Sequence, residues 1–109
     1  MAETPESKVK KKVTAILKQH GAYYAYVVAS GFGNAGIPDI LACHRGRFLG
    51  IECKAKGGKP TTLQLHNLSQ ISKAGGLALV IDETNMEDLI HALSGRHECL
   101  LFKTLGKSL

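Results

Sequence analysis

Asp39, Glu52 and Lys54 have types and spacing that a single tight turn would turn into a chemical site. If Arg45 and Gly46 form a two-residue hairpin turn, His44 pairs with Arg47 and the rest of the register follows. Cys43 then faces Phe48, Leu41 faces Gly50, and Asp39 faces Glu52. Directly opposed side chains share one face of a sheet, with Cβ atoms about 4.5–5.5 Å apart. Lys54 lies two residues beyond Glu52 and shares that face, whereas Ile51 and Cys53 point to the other. Opposed carboxylates repel, and a divalent cation between them converts that repulsion into ligation. Magnesium takes oxygen ligands and is commonly held by one or two carboxylates together with waters and phosphate oxygens. Lys54 would neutralise excess charge, orient an attacking water or stabilise charge developing on phosphorus. A plain Glu52–Lys54 surface ion pair fits the same spacing. The residues alone support a cation site and name no reaction.

Two further polar residues are candidates for the same site. Glu6 falls on the helical stripe of Val9, Val13 and Leu17, so it either meets the helix dipole or points into the site. Gln64, three residues after Thr61, either completes a capping box or lies at the mouth of the site, because its helix starts soon after Lys54. Gly31, Gly33 and Gly36 keep the loop before Asp39 free of bulk, through turn chemistry or to admit a nucleic-acid backbone. A zinc site from Cys43, His44, Cys53 and His66 matches no common ligand spacing.

The elements that must position these groups read clearly. The first helix runs from Pro5 to His20, with Thr4 as cap, Pro5 at the first helical position and Gly21 as stop. Val9, Val13, Ile16 and Leu17 form its buried stripe, and Lys8, Lys10, Lys11, Lys12 and Lys18 lie mostly on the other faces. A β-rich run covers Ala22–Ala29, followed by a glycine-rich loop over Ser30–Gly36. The hairpin strands are Asp39–His44 and Phe48–Lys54, and Pro38 marks their entrance. After a polar loop over Ala55–Pro60, a helix beginning at Thr61 carries Leu65, Leu68 and Ile71 and ends at Gly75-Gly76. Leu77–Ile81 is the continuous apolar run of a buried central strand. A helix over Met86–Leu93, capped by Thr84 or Asn85, precedes a last strand over Glu98–Lys103. The order α-β-β-β-α-β-α-β describes an α/β sandwich with a mixed sheet.

Bulk properties bound the reading. The 109 residues make one domain, 1–109, with 44% hydrophobic content and no run long enough for a membrane helix. The N-terminus lacks the apolar core of a signal peptide, which places the chain in a cytoplasm, bacterial or that of a phage-infected host. Three cysteines without C-x-x-C spacing read as reduced small apolar residues. The net charge of +5 permits a polyanionic partner without requiring one.

Together these residues resemble the PD-(D/E)XK nuclease superfamily and, more narrowly, its virus-type replication-repair (VRR-Nuc) family in the small stand-alone form. The matching text is Gly36-Ile37-Pro38-Asp39, Ile51-Glu52-Cys53-Lys54 and Gly58-Lys59-Pro60-Thr61 with Gln64, preceded by Glu6. Gly75-Gly76 followed by Leu77–Ile81 resembles the family's strand after its second helix. The resemblance implies a restriction-endonuclease-like fold, a mixed sheet flanked by helices. It implies a phosphodiesterase using Mg²⁺ or Mn²⁺ on DNA, with the metal held by Glu6, Asp39, Glu52 and the backbone carbonyl of Cys53. Lys54 would act on the water or the scissile phosphate, and Gln64 would steady the site. It also implies a homodimer that cuts four-way (Holliday) junctions. Lys10, Lys11, Lys12, Lys56 and Lys59 are the candidates for DNA phosphate contacts. Other readings are a nicking, flap or linear-duplex nuclease of the same fold, or a catalytically silent nucleic-acid-binding module.

Overall fold

The structure is a computed structural model, and it describes residues 3–28 and 35–94. The element order is α1 (Pro5–Gln19), β1 (Tyr23–Tyr26), β2 (Ile40–His44), β3 (Arg47–Cys53), α2 (Thr62–Lys73), β4 (Leu77–Ile81) and α3 (Met86–Leu93). This follows the expected sequence of elements, a mixed sheet flanked by helices. The expected last strand, Glu98–Lys103, lies outside the described residues.

The hairpin forms in the expected register. Arg45 and Gly46 both adopt positive φ, 51° and 79°, the backbone of a two-residue turn whose twist matches its flanking strands. His44 pairs with Arg47, Cys43 with Phe48, Leu41 with Gly50 and Ile40 with Ile51. The strand order is β1-β2-β3-β4, with β1, β2 and β3 antiparallel in turn and β4 parallel to β3. Among the described residues β4 has β3 as its sole sheet partner, and Leu77–Val80 are half-buried with Ile81 fully buried. The expectation of a buried central strand is thus met at Ile81 and not along the rest of the strand.

Strand alternation sorts side chains between two layers. Ile40, Ala42, Leu49, Ile51, Cys53 and Ile81 meet Val9, Val13 and Leu17 of α1 and Leu89 and Leu93 of α3 in the core. Gly50 faces the opposite side, where Ile71 of α2 packs close to the backbone. Glu52 follows Gly50 on that second face and is 1% exposed. The sequence therefore buries a carboxylate in the strand flanked on both sides by neighbours.

Helix ends are set by local chemistry. Thr4 Oγ1 accepts from the Ser7 amide at 3.0 Å, fixing the first turn of α1 that carries Glu6. At the other end Gly21, at φ 76°, closes the helix while the Ala22 amide donates to the Leu17 carbonyl. Thr61 and Gln64 complete the expected capping box of α2. Asn85 occupies the N-cap position of α3 without a side-chain cap bond; its Oδ1 accepts from the Asp82 amide instead.

Gly36 is required by packing. A Cβ there would lie 2.5 Å from Leu63 Cγ and 3.0 Å from the Leu63 carbonyl oxygen, and its φ is 83°. Gly31 and Gly33 lie outside the described residues. Gly36→Val is expected to cost about 2–3 kcal/mol through strain and overpacking. Gly21→Ala, with open space around its Cβ, should cost about 1–2 kcal/mol from backbone conformation alone. Urea denaturation of the two variants beside the parent measures the difference.

Candidate metal centre

Asp39 is placed by the edge of the hairpin. The Val27 amide donates to its carbonyl at 2.8 Å, extending the β1–β2 pairing by one step. Its side chain crosses toward β3, where Oδ2 accepts from the Cys53 amide at 2.9 Å. The Lys54 amide donates to the Ile81 carbonyl at 2.9 Å, so β3 stays tied to β4 through the end of the motif. These bonds fix the backbone beneath Glu52 and Lys54.

Glu6, Asp39 and Glu52 each contribute a carboxylate oxygen to a cluster whose members all lie within 4.8 Å of one another. Glu6 and Asp39 are half-buried and Glu52 is buried. Lys54 Nζ sits 3.4 Å from Glu52 Oε2, and Lys10 Nζ sits 3.7 Å from Asp39 Oδ1. Three carboxylates therefore face two ammonium groups. Neither oxygen of Glu52 accepts a hydrogen bond of good geometry. Burial first, and then the Asp39 charge, push the Glu52 carboxyl up to about 7 against the opposing pull of Lys54. A buried carboxylate without hydrogen bonds is costly, and an oxygen-only donor set of three acids suits a hard divalent cation. The residues present fit such an ion.

Cys53 contributes no thiolate. Burial, followed by the charges of Asp39 and Glu52, pushes its thiol up to about 12. Its side chain belongs to the core face, whereas Cys43 pairs with Phe48 on the other. The zinc set of Cys43, His44, Cys53 and His66 is therefore split across the sheet. Among the described residues, the acidic trio is the grouping of His, Cys, Asp and Glu side chains able to hold a metal.

The remaining site candidates fall in different places. Gln64 accepts from the Thr61 amide at 2.8 Å through Oε1, and its own amide donates to Thr61 Oγ1. Those bonds belong to the helix cap. Lys11 pairs with Glu3. Lys12 lines a shallow groove with Pro5, Lys8, Val9 and Glu83. Lys56 and Lys59 are exposed on the loop after β3. Lys10, named from the sequence among the candidate phosphate-contacting lysines, also reaches Asp39, a contact the sequence did not indicate. The spacing from Glu6, one helical turn on the same face, is a partial signal that links Lys10 to Glu6 but not to Asp39.

The sequence profile described as archaeal Holliday junction resolvase (Hjc) matches residues 5–80, well over half of the chain. The chain belongs to this resolvase family. The matched span carries Glu6, Lys10, Asp39, Glu52, Lys54 and Gln64. A phage protein named "Putative nuclease p44", from Acyrthosiphon pisum secondary endosymbiont phage 1, is 30% identical over 86 residues. That match covers 78% of this chain and 89% of the phage protein. A solved VRR_NUC domain shares the fold, with TM-score 0.65 and 21% identity over 84% of this chain and 96% of its own. The resemblance to PD-(D/E)XK and VRR-Nuc proteins drawn from the sequence stands, and with it the assignment as a nuclease. No helix among the described residues is long and apolar enough to cross a membrane.

Proposed function

We propose that this resolvase-family chain is a metal-dependent, structure-selective DNA endonuclease that hydrolyses phosphodiesters of four-way junctions as a homodimer. The observation that carries the reading is the buried Glu52, within 4.8 Å of Asp39 and Glu6 and 3.4 Å from Lys54. Glu6, Asp39, Glu52 and the Cys53 carbonyl would hold Mg²⁺, with Mn²⁺ able to replace it. When bound, the cation supplies charge neutralisation at the phosphate and an acidified water.

The protein's own residues do the rest. Asp39 and Glu52 hold the site rigidly, because one is tied to the Cys53 amide and the other stands on a strand paired on both sides. Lys54 presents its ammonium beside Glu52, where it can orient the water or stabilise charge growing on the phosphoryl oxygens. In the hydrolysis, the water oxygen bonds to phosphorus as the bond to the leaving oxygen breaks. One proton leaves the water and one reaches the leaving oxygen. Gln64 would steady the loop beside Lys54 through its cap. Lys11, Lys12, Lys56 and Lys59 would meet phosphates along the arms, giving affinity with little sequence preference.

The dimer reading is supported by an exposed row on the second sheet face. Tyr23 pairs with Cys43 and Cys43 with Phe48, and Tyr23 is 77% and Phe48 44% exposed. A second copy would cover it.

The test is a cleavage panel of four-way junction, flap and plain duplex with Mg²⁺ or Mn²⁺, run beside light scattering. The expected result is metal-dependent cutting of the junction in preference to the others, by a species of twice the chain mass. Preferred cutting of the flap or duplex would support the other nuclease readings. Binding without cutting would support the silent module.

A further inference from the structure

Lys10 and Lys54 are both ion-paired to the acidic trio, but in different ways. Lys54 is the inner lysine, its side chain 15% exposed and its partner Glu52 1% exposed. Lys10 is the outer one, 35% exposed, and pairs with the rim carboxylate Asp39. It rises from the same face of α1 as Glu6, one turn further on, and the capped, buried helix holds both at fixed places. Lys10 thus lies on the more exposed side of the carboxylates.

The charge balance gives that placement a meaning. Three carboxylates and two ammonium groups leave the site with one net negative charge when all are ionised. A divalent cation changes this to one net positive charge, which matches a single phosphodiester. Without Lys10, the loaded site would be neutral and would lose that match. Lys10 also competes with a cation for Asp39, since both are attracted to the same carboxylate.

Resting on the reading of the trio as a cation site, we propose that Lys10 is a second active-site lysine with two alternative partners. In the cation-free protein it neutralises Asp39, and in the loaded protein it turns to the phosphate being cut. A purely structural tie between α1 and β2 would predict neither a gain in cation affinity nor a loss in phosphate contact when Lys10 is removed.

Two measurements on Lys10→Met and Lys10→Arg, beside the parent, test this. The first is calorimetric titration with Mg²⁺ alone, without DNA. Lys10→Met should bind Mg²⁺ about two- to fivefold more tightly, because an exposed pairing partner of Asp39 is gone. Lys10→Arg should stay close to the parent. The second is single-turnover cleavage of a four-way junction at saturating Mg²⁺. There Lys10→Met should be slower by about ten- to a hundredfold, and Lys10→Arg should recover part of the loss. Tighter Mg²⁺ binding combined with slower cutting supports the proposal. Parent-like values in both assays for Lys10→Met would overturn it while leaving the trio's role intact. If the parent itself neither bound Mg²⁺ nor cut, the cation-site reading would fall, and this inference with it.

Discussion

Glu52→Gln is expected to abolish cleavage, by about a thousandfold or more, and yet to stabilise the cation-free protein above neutral pH. The two effects have one cause. Glu52 is buried, its oxygens lack hydrogen bonds of good geometry, and Asp39 stands close by. Ionising it in the folded state is therefore unfavourable, and its carboxyl is pushed up to about 7. Because the folded value lies above the unfolded one, the folded state binds more protons across the window between them. Stability from this group consequently falls as pH rises from about 4.5 through 7. Glutamine keeps the shape and removes the charge, so that loss should disappear. Lys54 then lacks its partner, which offsets part of the gain. A net stabilisation of about 1–2 kcal/mol at pH 8, shrinking toward zero at pH 5, is expected from urea denaturation in a chelator. Mg²⁺ should stabilise the parent at pH 8 and have little effect on the variant.

Substitution of Asp39 should separate chemistry from folding. Asp39→Ala and Asp39→Asn are both expected to lose cleavage, because each removes a carboxylate from the trio. They should differ in stability. Asp39 Oδ2 accepts from the amide of Cys53, a fully buried residue. Asparagine can still offer a carbonyl oxygen there, whereas alanine leaves the amide unsatisfied, at a cost of about 1–2 kcal/mol. The alanine variant should accordingly unfold at lower urea than the asparagine variant, with the parent's residual Asp39–Glu52 repulsion relieved in both. Equal stability would mean that the Cys53 amide finds another partner.

What could be read from the sequence was what local chemistry determines. The Arg45-Gly46 turn sets a register, and the register alone puts Asp39 opposite Glu52. The Thr61–Gln64 box and the apolar periodicity of α1 and α3 likewise depend on residues within a turn or two of each other. Non-local facts were less accessible. An apolar run such as Leu77–Ile81 shows that a strand is half-buried or more, and does not show how many neighbours it has. Gly36 reads equally well as a turn or as an approach for DNA, because its closeness to Leu63 of α2 is a tertiary contact. Lys10 reads from the sequence as a phosphate contact or a solvated charge, because nothing in the linear pattern says where Asp39 sits relative to α1. Glu6 and Lys10 become one feature of the site only when the helix is packed on the sheet.

The trio's role is tested most directly by cutting a four-way junction with the parent and Glu52→Gln side by side, in Mg²⁺ and in chelator. The parent should cut in Mg²⁺ and not in chelator, and the variant in neither. Cutting by Glu52→Gln at the parent's rate, or by the parent in chelator, would contradict the assignment of Glu6, Asp39 and Glu52 as the centre of a metal-dependent nuclease.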